Sequence, residues 1–112
     1  MPPEDNETWV IEAGHSILEK EATTGFASLE AWERLLYSLW VADYGMRNAG
    51  DLETAEEVDE HFQEKGLQAA RELSLLKCIQ GFSLAREDFE RRYFELFDTM
   101  CEEIKGVERR TR

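Results

Sequence analysis

Proline is nearly absent from this chain, and positive charge is scarce. Its two prolines are Pro2 and Pro3, so no pyrrolidine ring interrupts a helix anywhere beyond the third residue. Two cysteines, Cys78 and Cys101, form no CxxC pair and are too few to frame a disulfide-stapled secreted domain. Each falls among apolar residues, where a free thiol behaves as a small hydrophobe. Thirteen Lys and Arg against twenty-five Asp and Glu give a net charge of -12. That balance argues against direct nucleic-acid binding and against anionic membranes, both of which need a basic patch. The longest uncharged apolar run, Leu35 to Ala42, is far short of a membrane span. The acidic opening, Met1 to Glu7, has no apolar core of a secretory signal, so the expected compartment is the cytoplasm.

What is present is helical periodicity. The chain has 112 residues, 42% of them hydrophobic, including three Trp, three Tyr and six Phe; this suffices for one core. No strand-like alternation bounded by turn residues occurs. Helices are predicted over about 7–23, 29–48, 53–64, 66–80 and 85–105. The breaks fall at Thr24-Gly25, Asn48-Ala49-Gly50, Lys65-Gly66 and Gly81. Ser28 and Ser83 are candidate N-caps, and Thr54 with Glu57 has capping-box spacing. Connections this short imply an all-α fold, a single antiparallel bundle of four to five helices. Residues 1–6 read as a disordered N-terminus, 7–105 as the domain, and 106–112 as a basic tail.

In the last helix, Phe89, Tyr93, Leu96, Phe97, Met100 and Ile104 recur in one stripe, which reads as core. The 66–80 segment carries two apolar faces, one with Leu67, Leu75 and Cys78, the other with Ala69, Leu73 and Leu76. That pattern predicts a central helix packed on both sides. In the second helix, Leu29, Trp32, Leu36, Leu39 and Trp40 share a sector of roughly 100°, and Asp43 falls inside it. A carboxylate there must be paired or hydrogen-bonded, because isolated burial of its charge is costly. Arg47 lies one turn on, with Tyr44, Asn48 and Gly50 at the helix end. The expected role of the Asp43, Arg47, Asn48 and Gly50 corner is to tie this helix to the start of the next.

The charge is concentrated. Residues 1–33 hold eight acids against Lys20, and residues 51–64 hold seven acids with no Lys or Arg, so each block sums to -7. On a helix spanning 53–64, Glu53, Glu56, Glu57, Asp59, Glu60 and Glu64 occupy the side opposite Ala55, Val58 and Phe62. Like charges at i,i+4 destabilise a helix by about 0.2–0.5 kcal/mol per pair. Two explanations therefore compete: a solvated face that keeps the chain soluble, and a row of carboxylates that imitates phosphates for a basic partner. Carboxylates on one helical face step by roughly 4.5–6 Å, against about 3.4 Å per phosphate on a DNA strand. If the two acidic helices share a side of the bundle, a one-signed face results.

Chemistry-bearing motifs are few. Glu12-x-x-His15 has di-iron spacing, but Val58 stands where a second copy at His61 needs its Glu; both histidines read as surface residues. Neither cysteine has a histidine nearby in sequence, and no Gly-rich phosphate loop or G-x-S-x-G is present. The expectation is a non-enzymatic protein with no cofactor and no metal.

The run Leu29 to Gly50, followed by Gly66 to Phe82, resembles a family of small bacterial helical proteins of unknown function that includes an acidic DNA-mimic protein. The matching positions are Glu33, Arg34, Leu36, Tyr37, Leu39, Trp40, Asp43, Asn48 and Gly50, with Gly66, Ala69, Ala70 and Leu73 after them. The chain departs from the family pattern where Ala49 replaces a glycine and Asp51 stands in place of an aromatic. The resemblance implies a helical fold and, as partner, a basic, DNA-binding protein met through the acidic helix. Two other readings stay open: an immunity-type protein neutralising a basic toxin, and a structural homodimer whose acidity serves solubility.

Overall fold

The computed structural model describes residues 5–111. Its centre is α2 (Ala31–Ala49), whose residues 35–39, 41 and 42 are all buried. Every other helix but one packs on α2: α1 (Asn6–Thr24), α3 (Leu52–Val58), α4 (Phe62–Leu73) and α6 (Arg86–Thr111). The exception, α5 (Leu76–Phe82), is held between α4 and α6. A 3-10 turn (Phe26–Ser28) links α1 to α2. The described residues form an all-α fold, as the periodicity predicts, with six helices where four to five were expected. No helix among them is long and apolar enough to cross a membrane.

The ends of the chain are more ordered than expected. Asp5 caps α1 by accepting from Thr8 N at 2.8 Å, and Asn6 bridges Asp98 and Lys105 of α6. The expected disorder of residues 1–6 therefore fails at positions 5 and 6; residues 1–4 lie outside the described residues. At the other end, the expected tail is the last turns of α6, which runs to Thr111 and buries Val107. Arg112 lies outside the described residues.

Three of the expected boundaries are corrected. The helix expected over 53–64 ends at Val58, because Asp59 leaves helical geometry at φ -152° and ψ 106°. Gly66 breaks nothing; it lies inside α4, where a Cβ would come within 2.5 Å of the Phe82 ring. Glycine is needed there for close approach. The 66–80 segment is instead cut at Ser74, whose left-handed φ of 55° closes α4 with Leu75 N bonded to Ala70 O at 3.1 Å. Each of the two apolar faces predicted for that segment mixes residues of α4 with residues of α5 or its N-cap, so neither is one continuous stripe, and the central helix is α2. Leu76, placed on one of those faces, is exposed.

The caps differ too. Ser28 bonds Gly25 O and Thr24 within the 3-10 turn, while Glu33 reaches back to Glu30 N at 2.8 Å to start α2. Thr54 does not cap α3; it donates its N–H to the cap Asp51 at 2.8 Å. Ser83 closes α5 and does not open α6. Carboxylates from α6 also act as caps: Glu90 accepts from Leu52 N at 2.7 Å, and Glu103 accepts from Lys77 N and Cys78 N.

Close helix approach depends on small residues. A Cβ on Gly14 would lie 2.2 Å from Trp40 Cδ1, so α1 is pressed onto that indole. On another sector of α2, a Cβ on Gly45 would meet the α3 backbone, Ala55 N and Asp51 O, at 2.7 Å. The core stripe of α6 is buried as its period predicts, with Phe89, Tyr93, Met100 and Ile104 fully enclosed.

Candidate functional site

The break at Asp59 shapes the acidic face. Glu53, Glu56 and Glu57 of α3 meet Glu60 and His61 of the turn and Glu64 of α4 around one open depression of about 470 Å³. The side chains of Glu60 and Glu64 are 78% and 84% exposed, and His61 lies between them, 3.1 Å from Glu60 and 3.8 Å from Glu64. A straight helix would have strung these carboxylates along a line; the kink gathers them.

Two of the six expected members play other parts. Asp59 is internal, its side chain 9% exposed. It accepts from Tyr37 OH at 2.8 Å, Lys65 Nζ at 2.6 Å and His61 N at 2.9 Å. Burial works to raise its pKa, but these donors outweigh that and hold the carboxyl below the usual range. Asp59 is thus a structural anchor and not, as expected, part of the exposed acidic face. Glu56 remains on the rim but is paired with Arg86 of α6. Glu53, Glu57, Glu60 and Glu64 are left facing solvent with no direct Lys or Arg ion pair among the described residues, although Arg86 also attracts Glu53. The helical repulsion is also smaller than expected, since only Glu53–Glu57 shares one regular helix at i,i+4.

The first acidic block does not extend this face by direct packing. α1 and α3 sit on different sectors of α2 and are not packed on each other. Part of that block is spent internally: Glu33 on Lys20 at 2.9 Å, and Glu7 on Arg47 at 3.5 Å.

The Asp43 corner is assembled differently from expectation. Asp43 is 4% exposed, and its Oδ1 accepts both Tyr93 OH at 2.7 Å and Arg47 Nε at 3.0 Å. Burial pushes its pKa up, against the pull of Tyr93 and Arg47. It ties α2 to α6 and not to α3, whose N-terminus is already served by Asp51 and Glu90. Asn48 does not touch Asp43; its amide donates to Tyr44 O at 2.8 Å. Gly50, at φ 75°, terminates α2 in the left-handed conformation. Only Arg47 of the expected partners contacts the carboxylate. Tyr93 is the partner that sequence reasoning missed, and the signal was a single hydroxyl inside an otherwise apolar stripe.

Beside Asp43, between α1 and α2, lies a second and more enclosed cavity of about 380 Å³. Its walls include Ile11 and His15 of α1 and the stacked rings of Trp40 and Tyr44, 5.6 Å apart and 22° from parallel.

Burial pushes the thiols of Cys78 and Cys101 well up, which favours their protonated form. Among the described residues no group of three or more His, Cys, Asp or Glu is arranged to hold a metal ion.

No protein-family model matches this chain, and no curated protein or solved structure matches it.

Proposed function

We propose that the protein is a non-enzymatic acidic binding module whose α3–α4 corner engages a basic protein surface. The observation that supports this most directly is the convergence of Glu53, Glu57, Glu60 and Glu64 on one exposed concavity. Placing like charges together costs stability, and a chain shaped for folding alone would interleave lysines. A concentrated negative field speeds association with a cationic partner and makes binding salt-sensitive. The resemblance noted above makes a DNA-binding protein the partner class of choice, with the carboxylates standing in for phosphates. Two unpaired, buried thiols accord with a reducing, cytoplasmic setting.

The test uses two charge-matched variants. In the first, Glu53, Glu57, Glu60 and Glu64 become Gln. In the second, four exposed carboxylates elsewhere are changed: Glu12, Glu19, Glu95 and Glu102. Binding of basic DNA-binding proteins from the native host is measured at low and high salt. The first variant is expected to lose at least tenfold in affinity and most of the salt dependence, the second little. Equal losses would reduce the effect to net charge and sink the proposal.

A further inference from the structure

The cavity between α1 and α2 has a feature the acidic face lacks: a buried charge with an unused acceptor. Both donors to Asp43 fall on Oδ1, and among the described residues no group donates to Oδ2. The described side-chain atoms that are sealed from solvent without a partner are Trp32 Nε1 and Ser38 Oγ. Asp43 Oδ2 is not one of them, which leaves it open to the cavity that Asp43 lines. A ligand N–H placed on this free acceptor would make a charge-assisted hydrogen bond.

The surroundings define the donor. Arg47 cannot swing across to supply it. Its Nε is on Oδ1, its NH1 lies 3.5 Å from Glu7, and its guanidinium rests over Phe94 and Phe97 at 5.0 and 4.8 Å. Asp43 and Glu7 outweigh Arg47 by one negative charge, which disfavours an anion. A guanidinium ligand seeks both oxygens of a carboxylate, and Oδ1 is already taken twice. A point-like ammonium needs one acceptor and suits the face of an aromatic ring. Trp40 and Tyr44 give the cavity an aromatic lining, and Ile11 and Tyr44, 43% and 42% exposed, form an apolar rim. The volume lies within the usual range for small-molecule sites, about 300–1,000 Å³.

We propose that this cavity binds a small organic ammonium ligand, with its N–H on Asp43 Oδ2 and its apolar body against Trp40, Tyr44 and Ile11. The site is separate from the acidic α3–α4 corner and does not depend on that reading.

The probe is hexylammonium, titrated into isotope-labelled protein and followed by amide and indole chemical shifts, with 1-hexanol and hexanoate as neutral and anionic counterparts. Saturating shifts are expected at Ile11, His15, Tyr44 and the Trp40 indole, with hexanol and hexanoate at least tenfold weaker. D43N should weaken hexylammonium at least tenfold. Should D43N fold poorly, Y44A on the rim tests the same site and should weaken it several-fold. Equal binding of hexanol, undiminished binding by a folded D43N or by Y44A, or shifts centred on Glu60 and Glu64 would overturn the proposal. Equally tight binding of a lysine side chain, offered as Nα-acetyl-lysine amide, would overturn the assignment to a small-molecule ligand.

Discussion

Tyr93 and Asp43, fifty positions apart, join the last helix to the central one through a 2.7 Å hydrogen bond whose hydroxyl is fully enclosed. This bond and the Arg47 pair offset only part of the cost of a charge buried in an apolar seam. Y93F removes the donor while keeping the ring. It should destabilise the fold by about 1–3 kcal/mol, the usual cost of leaving a buried polar group short of a partner. Urea denaturation of the single variants and of Y93F with D43N checks this. A coupling energy near zero in the double-mutant cycle would refute the link.

Glycines 45 and 106 both lie inside helices, and their Ala variants should move in opposite directions. At Gly45 a methyl group would meet backbone atoms of α3 at 2.7 Å, and backbone cannot step aside as a flexible side chain can. Loss of about 3 kcal/mol is expected for G45A, the upper end of ordinary overpacking. At Gly106 the nearest heavy atom would be Arg110 NH1 at 3.7 Å, ordinary contact with a mobile group. G106A should therefore gain up to about 1 kcal/mol from helix propensity. Thermal melts of the two variants decide the matter, and G45A as stable as wild type would refute the close α2–α3 packing.

Where a property is local and periodic, the sequence carries it; where it depends on a distant side chain, it does not. The α6 stripe from Phe89 to Ile104 is buried because spacing alone places those residues on one face. Asp43 stood out as a charge in an apolar sector, but the identity of its partner depends on how α6 lies against α2. Asp59 falls on the polar half of any uninterrupted 53–64 helix. Its inward turn rests on Tyr37 and Lys65, and no helical wheel contains them both. Gly66 reads as a break because glycine usually punctuates, yet its absent side chain makes room for Phe82. The acidic residues of the corner were legible as a block. Their gathering around one depression was not, because it follows from the Asp59 break.

Ser74 is the one non-glycine residue with positive φ among the described residues, at 55°. A residue with a Cβ is disfavoured in that region by roughly 1–2 kcal/mol, and glycine gives back about 0.5–1 kcal/mol through its looser unfolded state. S74G should therefore stabilise by about 0.5–1 kcal/mol net. A lower melting temperature for S74G would show that the serine side chain contributes something the α4–α5 turn needs.

Acid should act on this fold with two opposite signs. Burial raises the Asp43 pKa, so the native state holds that proton more tightly than the unfolded chain, and its ionisation costs stability as pH rises through the folded value. Asp59 goes the other way. Despite burial, its donors Lys65, His61 N–H and Tyr37 hold its carboxyl low, and the Thr54 N–H does the same for Asp51. Their stabilisation is present above about pH 4, the unfolded carboxylate range, and is lost as pH falls through the depressed folded values. D59N should be clearly destabilised at neutral pH, where it breaks the Lys65 pair, and should converge on wild type in acid. D51N should differ little at neutral pH because Asn caps about as well as Asp, and it should show a shallower loss in acid. Urea midpoints at neutral pH and below pH 3 test both. A D59N deficit that persists undiminished in acid would mean that Asp59 acts through shape and not through charge.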